Sequence, residues 1–420
     1  MTVGKKTIHY GWVICFGCFV LSSLTTPLIN ALGSMFMRSV TEEFEISRSA
    51  FTLTSTLVAV CGMVLSPFWG KLFSKGNMRI ILTVGLVFFG LAYMSYSLAQ
   101  NKYHLYISSV CVGIAYSGCS FIPSSILITS WFKEKRGLAM SLSLSGVSIG
   151  GLILSPIVSK FLSIYGWRNT YQIIGLMVLI IAVPMAFLIL RQSPEAMGLK
   201  PYGEGSASPA QNGNTKKSVN GEIDVSLSDA KKKTFFWMHL VAMFILGIVC
   251  SSPLRHINPY ASDLHGAAFG ASVVSAYSFV GIFGKLILGG LNDKFGTVKG
   301  SLFAFMMMSI SFICLILGAN PIMFFVMALF YGIGNGIGTV FAPLLTSATF
   351  GTKNFNIMRG ITQSPMQLGM SLGGLFMATI YDATGTYNSG WVSCIILCIL
   401  CALLFVWAYR DARKLYKTID

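Results

Sequence analysis

The chain has 420 residues, 54% of them hydrophobic and 10% charged, with a mean hydropathy of +0.71. That balance excludes a soluble globular core and describes a polytopic helical membrane protein. The formal net charge of +16 superficially fits a nucleic-acid binder, but the basic residues sort by topology, and no nucleic-acid partner is expected.

Apolar runs of bilayer-crossing length occupy residues 10–37, 50–72, 79–99, 104–131, 137–163 and 169–190. After a polar gap, six more occupy 235–258, 271–292, 300–319, 321–348, 360–381 and 390–410. Each reaches the ~20 residues that a transmembrane helix needs, so these are segments one to twelve. Segment one follows a short basic stub, outruns a signal-peptide core and lacks a small-residue cleavage site, which reads as a first helix. The division is 1–190, a six-helix half; 191–233, a linker; and 234–420, a second half. Within the linker the run GEGSASPAQNGNTKKSVNGE is too polar to bury a core and reads as flexible, with Lys231, Lys232 and Lys233 near the headgroups. A regulatory tail is the sharper alternative.

Polar and aromatic residues recur at mid-segment depth. Thr25, Thr26 and Asn30 lie in segment one and Tyr116 and Ser117 in segment four. Tyr331 and Asn335 in segment ten, like Gln363 and Gln367 in segment eleven, have i, i+4 spacing and are expected to share a helix face. Singly, each such group is explained by a hydrogen bond to a neighbouring helix, typically about 0.6 kcal/mol. As a set they mark a polar cavity between the halves. Arg255 and His256 follow Pro253 near the outer end of segment seven, with Asp263 and His265 nearby, and read either as snorkelling groups or as a gating or anion-attracting pair. His256 is the near-membrane group whose ordinary pKa lies close to neutrality.

Lys285 stands apart. It sits near the middle of segment eight, where a charge costs roughly 2.5 kcal/mol or more and is a functional candidate by default. All 14 acidic residues fall in loops, tails or segment ends, so Lys285 has no intramembrane carboxylate partner. A buried cation without a counter-charge points to a site for a small anion.

Orientation follows from the 30 Lys and Arg residues. With the N-terminus inside, all but seven are cytoplasmic: Arg38, Arg48, Lys102, Lys160 and Arg168 fall outside, and Arg255 and Lys285 lie within segments. This is the positive-inside asymmetry. It predicts a multi-pass protein of the plasma (inner) membrane with both termini cytoplasmic.

Other chemistries find no support. The ten cysteines all lie in apolar segments, and the pairs Cys15, Cys18 and Cys398, Cys401 lack histidine neighbours, so packing explains them better than redox or metal chemistry. Gly332, Gly334, Gly336 and Gly338 follow an apolar helix rather than a strand and are better explained by close helix packing than by a nucleotide loop. There is no phosphate-binding lysine loop, no zinc spacing and no nucleophile triad. No cofactor, no metal and no enzymatic activity are expected.

The two halves repeat. Arg136, Gly137, Gly146, Gly150 and Gly151 recur 223 positions later as Arg359, Gly360, Gly369, Gly373 and Gly374, and Gly166 and Trp167 return as Gly390 and Trp391. Gly70 and Gly113 recur 219 positions later as Gly289 and Gly332. An even number of segments per repeat preserves orientation in the membrane, as in parallel transporter repeats whose substrate sites lie near the midplane. The expected fold class is an all-α membrane protein of twelve transmembrane helices in two six-helix halves.

The loop Gly289, Gly290, Leu291, Asn292, Asp293, Lys294, Phe295, Gly296 resembles the G-x-x-x-D-[RK]-x-G loop of the major facilitator superfamily, and the likeness extends over essentially the whole chain. The matching loop of the first half, Gly70 to Arg79, departs from it, with Ser74 where the acid is expected. His9 Tyr10 Gly11 Trp12, Glu43 Phe44 Glu45 Ile46 Ser47 Arg48, Trp131 Phe132 through Arg136 Gly137, and Tyr165 Gly166 Trp167 Arg168 are similar to the monocarboxylate transporter and oxalate:formate antiporter branch. The resemblance implies the major facilitator fold, a conformational loop at Gly289, Asp293, Lys294 and Gly296, and a carboxylate-holding cation in helix eight. In the run Gly281 Ile282 Phe283 Gly284 Lys285 Leu286 Ile287 Leu288 Gly289, Lys285 takes the place of the branch's arginine. Lysine lacks the planar fork of a guanidinium and acts as a point charge. Proton-coupled relatives carry an Asp one turn earlier, where this chain has Gly281; oxalate antiporters carry a second cation in helix eleven, where it has Gln363, Met366 and Gln367. Both departures weigh against proton symport and dicarboxylate binding.

The expected function is secondary transport of a small organic anion, a monocarboxylate, by rocking of the halves, with exchange favoured over proton symport. Lys285 attracts the carboxylate, with Tyr116, Tyr331, Asn335, Gln363, Gln367, Thr26 and Asn30 around it, and Arg255 and His256 in gating or coupling. The expected partners are that anion and the lipid bilayer, the protein being a monomer. The alternatives are an exporter of larger amphipathic compounds and a non-transporting membrane sensor.

Overall fold

The computed structural model describes residues 9–30, 32–204, 227–318 and 320–417. Nearly all of these are helical, and the described residues contain no strand. Ten helices are long and apolar enough to cross a membrane. One of them, Arg136–Leu188, is two crossings in series, because Gly166 interrupts it at φ 73°, a left-handed conformation that glycine adopts without a Cβ clash. Helices five (136–165) and six (167–188) meet there. The 30-residue helix eleven, Phe355–Thr384, carries too many polar residues to qualify by apolarity but is long enough to span. With it, all twelve expected segments are long helices.

The remaining ones are helix one, Tyr10–Asn30; two, Arg48–Lys75; three, Met78–Ser95; four, Lys102–Cys119 continued by Phe121–Trp131; seven, Thr234–His265; eight, Ala267–Phe295; nine, Thr297–Ile316; ten, Pro321–Gly334 continued by Ala342–Phe350; and twelve, Tyr387–Lys417. Side-chain caps set several starts: Ser47, Asn77, Asn101 and Asn320 each accept from an N–H of the following turn. Helices seven, eight, eleven and twelve run several residues past the apolar runs that identified them, whereas helices one, three, six and nine end short of theirs. Helix one stops at Asn30, and after a 3-10 turn at Gly33–Phe36 a short helix follows, Met37–Phe44, whose Glu43 pairs with Arg168 and accepts from Trp167 Nε1 at 2.5 Å. The bonds from Arg168 and Trp167 hold the Glu43 carboxyl below its ordinary pKa.

Helices four and ten break at matching places. Ser120 leaves helical geometry at φ −95°, ψ −107°, and Ile337–Phe341 forms a π-helical turn. Ser120 and Thr339 differ by 219 positions, the spacing that relates Gly113 to Gly332, so the repeat extends to its defects. Pro253, by contrast, does not break helix seven, and Asp263 and His265 lie within that helix rather than in a loop after it.

Each half has its own core. The larger buried cluster of the first includes Phe36, Phe89, Tyr93, Trp131 and Tyr171, and that of the second includes Phe312, Met327, Tyr331 and Trp391. Gly146 and Gly150 bring helix five onto the backbone of helix one at Phe19 and Ser23, while Gly369 and Gly373 bring helix eleven onto helix seven at Phe244 and Ile248. These small-xxx-small faces supply the close packing that substitutes for a hydrophobic drive inside a bilayer. Residues 192–204, read from sequence as part of a flexible linker, instead pack against the end of helix four: Tyr202 N donates to Trp131 O at 2.8 Å, and His9 Nε2 lies 3.0 Å from Lys200 O.

The halves meet along two seams, helices two with eleven and five with eight, at the end that carries the linker. At the first, Gly70 lies against Asn356 and Gly360, and Ser364 Oγ donates to Met63 O at 2.5 Å. At the second, Gly137 and Gly289 approach backbone to backbone. Further along helices two and eight, Ser55, 15 positions from Gly70, and Ser278, 11 positions from Gly289, lie close to the same faces and are exposed. The seams are closed at the linker end and open at the other.

Candidate functional site

Lys285 lies at the level where the closed seam gives way to the open one. Ten residues separate it from the end of helix eight at Phe295, about 15 Å at 1.5 Å per residue, which is half of a ~30 Å hydrocarbon layer. Its side chain is 8% exposed. The methylene stem crosses Gly336 of helix ten, where a Cβ would sit 3.4 Å from Lys285 Cγ. The ammonium reaches across to the other half and donates to Ser148 Oγ of helix five at 2.8 Å. No carboxylate pairs with it among the described residues, as expected, but the sequence did not identify Ser148.

The other predicted residues fall into separate groups. Asn30 Nδ2 donates to Tyr116 OH at 3.3 Å inside the first half, close to buried Thr26. Gln367 packs on Gly62 in the seam between helices two and eleven, 3.2 Å from where a Cβ of that glycine would be. Gln363, one turn away, is buried with Oε1 unpartnered. Asn335 is half-buried and adjoins Gly336, the residue that the Lys285 stem crosses. Tyr331 departs from the expectation. It is fully buried in the core of the second half beside Cys250, Cys394 and Cys398, edge-on to Tyr277 at 5.2 Å, with its hydroxyl unpartnered. Helix ten is regular from Tyr331 to Asn335, where Asn335 N donates to Tyr331 O at 2.8 Å, so the two share a face of which the Tyr331 end is packed inside the second half.

Arg255 and His256 clasp helices seven and eleven within one half. His256 Nε2 lies 3.0 Å from Gly374 O, its ring is 5.7 Å from Tyr387, and the Arg255 stem lies over Gly374 with its end exposed. This placement gives His256 a packing role in helix seven.

The loop at Asp293 joins the halves. Asp293 Oδ1 accepts from Gly137 N at 2.7 Å and Oδ2 from Leu138 N at 2.9 Å. Those N–H groups open helix five and have no partner within it, and a carboxylate there is favoured by the helix dipole. Asn292 and Thr297 brace the loop, since Asn292 Nδ2 donates to Asp293 at 3.2 Å and Thr297 Oγ1 donates to Asn292 Oδ1 at 2.9 Å. Gly289 makes the backbone approach to Gly137, Lys294 lies over the Phe295 ring at 5.3 Å, and Gly296 turns the chain at φ 84°. Ser74, at the equivalent place in the other half, is exposed and donates to Lys71 O at 2.7 Å, so it does not latch the second seam as Asp293 latches the first. Asp293→Asn removes the charge and one acceptor. Hydrogen bonds to charged groups contribute about 1.5–3 kcal/mol, so the linker-end seam should open more often. A cysteine introduced by Ser141→Cys, next to Gly289, should then react at least about tenfold faster with a maleimide, and transport should fall by a similar factor; unchanged labelling would refute the latch.

A further buried cation escaped the sequence reading. Arg359, counted among loop residues, lies in the second turn of helix eleven at 2% exposure with Nε and Nη1 unpartnered. Its repeat mate Arg136 donates to Phe132 O at 2.9 Å and Thr129 O at 3.3 Å. All ten cysteines are free, and no group of three or more His, Cys, Asp or Glu residues could hold a metal among the described residues.

Two parallel helical repeats, closed at one end around a buried cation and open at the other, define a multi-pass membrane transporter. The model of the Major Facilitator Superfamily matches residues 12–272 and 246–419, and the chain belongs to that superfamily. It is similar to monocarboxylate transporter 12-B of Danio rerio, at 25% identity over 90% of this chain and 83% of that protein. Monocarboxylate transporter 4 of Rattus norvegicus is 24% identical over 90% and 79%. Among solved structures, a major facilitator transporter, FucP, crystallised in the outward conformation, matches with a TM-score of 0.69 at 15% identity over 96% of this chain and 99% of its own. That last likeness bears on the fold alone.

Proposed function

We propose that the protein carries a small organic monoanion, a monocarboxylate, across the plasma membrane by alternating access, with both termini and the linker cytoplasmic. The observation that carries this reading is the ammonium of Lys285, buried at mid-membrane depth without a counter-charge among the described residues and at the boundary between closed and open seam. A buried ionisable group in a membrane helix belongs to a pathway or a binding site, and what a lone cation lacks is an anion. The two relatives described above are monocarboxylate transporters, which supports the same substrate class here. The halves stand open away from the linker, which is the external side when the basic residues are placed inside. Arg255, at the open end, attracts anions toward the site, while Asn335, Gln363, Gln367, Thr26, Asn30 and Tyr116 give the cavity its polar walls.

The test is counterflow in proteoliposomes with acetate, pyruvate, lactate and benzoate, each paired with its neutral amide. Accumulation of at least one labelled carboxylate and of none of the amides is expected. Accumulation of amides and carboxylates alike, or of neither, would remove the anion reading and favour an exporter of amphipathic compounds or a sensor respectively.

A further inference from the structure

The bond between Lys285 and Ser148 joins the two halves at the proposed site, and the state of the serine proton gives it meaning. Other serines of helix five spend their hydroxyl protons on their own helix: Ser141 donates to Leu138 O at 2.9 Å, Ser143 to Ala139 O at 2.8 Å and Ser145 to Leu142 O at 2.8 Å. Ser148 makes no such bond; its oxygen accepts from Lys285, and its proton is uncommitted among the described residues. Gly146 and Gly150, on either side, face helix one, which turns Ser148 toward helix eight. Ser148 is half-buried and stands at the edge of the open seam, within reach of a solute entering from that side.

Resting on the carboxylate reading above, we infer that Ser148 and Lys285 together form a two-point carboxylate clamp, with one donor from each half. A carboxylate has two oxygens and accepts several hydrogen bonds. Arginine satisfies both oxygens with its own parallel N–H groups, whereas lysine presents one compact charge. Here the nitrogen and the hydroxyl oxygen stand 2.8 Å apart, so a carboxylate placed over the pair receives N–H from Lys285 on one oxygen and O–H from Ser148 on the other. The ammonium has three protons and keeps its bond to Ser148 while it engages the anion. The serine restores the second contact that the Arg-to-Lys exchange gave up. Because its two anchors belong to different halves, the carboxylate also ties them together at mid-depth. Single-carboxylate anions are the class that fits, because no further cation faces the pair among the described residues.

The experiment uses the full-length protein in proteoliposomes and the carboxylate giving the strongest counterflow among acetate, pyruvate, lactate and benzoate, with Ser148→Ala, Ser148→Thr and Lys285→Gln. A hydrogen bond to a charged group is worth roughly tenfold or more in affinity. Ser148→Ala should raise KM about tenfold with Vmax within about twofold, and Ser148→Thr, which keeps the hydroxyl, should return KM to within about threefold of the starting value. An unchanged KM in Ser148→Ala, a fall confined to Vmax, or a loss that Ser148→Thr does not recover would each overturn the clamp. If the unaltered protein moves none of the four acids, or Lys285→Gln moves them normally, the carboxylate reading itself fails. Normal transport by the unaltered protein with loss in Lys285→Gln and no effect of Ser148→Ala defeats the clamp alone.

Discussion

Lys285→Gln should lower carboxylate uptake at least about a hundredfold, while Lys285→Arg should keep on the order of a tenth of it. Removing one member of a buried charge pair costs about 2–5 kcal/mol, and a hundredfold corresponds to roughly 2.7 kcal/mol. Glutamine keeps an N–H donor on a side chain one bond shorter and removes the charge, so folding should survive and the loss should chiefly report the charge. Arginine preserves the charge, but its wider head must fit where the stem crosses Gly336 and the tip meets Ser148, which is why only part of the activity should return. Initial rates of uptake by the three proteins, normalised to the amount reconstituted, check this. Full activity in Lys285→Gln would sink the anion site.

Exchange should outpace net transport several-fold. The observation behind this is that Lys285 has no carboxylate partner among the described residues and one neutral hydroxyl. To cross states, the site must close around its charge, and a desolvated cation without a counter-charge costs several kcal/mol. A bound anion supplies that counter-charge. The loaded carrier therefore reorients readily and the empty one slowly. Vesicles preloaded with substrate should take up label several-fold faster than empty vesicles, with only a weak response to an imposed pH gradient. Equal rates with and without internal substrate, together with strong acceleration by external acid, would show a proton route. His256→Gln would not be expected to abolish such a route, since the ring is fixed to Gly374 of its own half.

Most of the architecture was legible because a bilayer forces it into the sequence. Each crossing must satisfy its own backbone hydrogen bonds over about 30 Å, and that requirement writes a long apolar run. Helix eleven, the most polar of the twelve, was read as an apolar run over 360–381, and the repeat that links Gly146 and Gly150 to Gly369 and Gly373 agrees with that reading. Helix ends were less legible. The polar stretch from Gly351 to Asn354 reads as a loop that ends near Gly360, but the helix begins at Phe355 and draws Arg359 into the interior. Lys285 stood out because a charge is rare at its depth. Ser148 could not stand out, since serine is common in these helices and its distinguishing feature is the direction of one O–H bond. Tyr331 was placed at the site from its spacing to Asn335, but a shared helix face says nothing of what each level of that face meets, and at Tyr331 it meets the core of the second half.

The unequal seams bear on how the molecule moves. Between helices five and eight, a carboxylate grips a helix end and a lysine reaches for a serine; between helices two and eleven, Ser74 stands back and bare backbone lies on bare backbone at Gly70 and Gly360. A door has one edge that unlatches and one that pivots. The glycine surfaces at the second edge can roll over each other with the Ser364 to Met63 bond as a pivot, whereas the first edge must release the grip of Asp293 on helix five. The two repeats thus serve as different mechanical parts, and the inward swing should begin at the edge that holds Asp293.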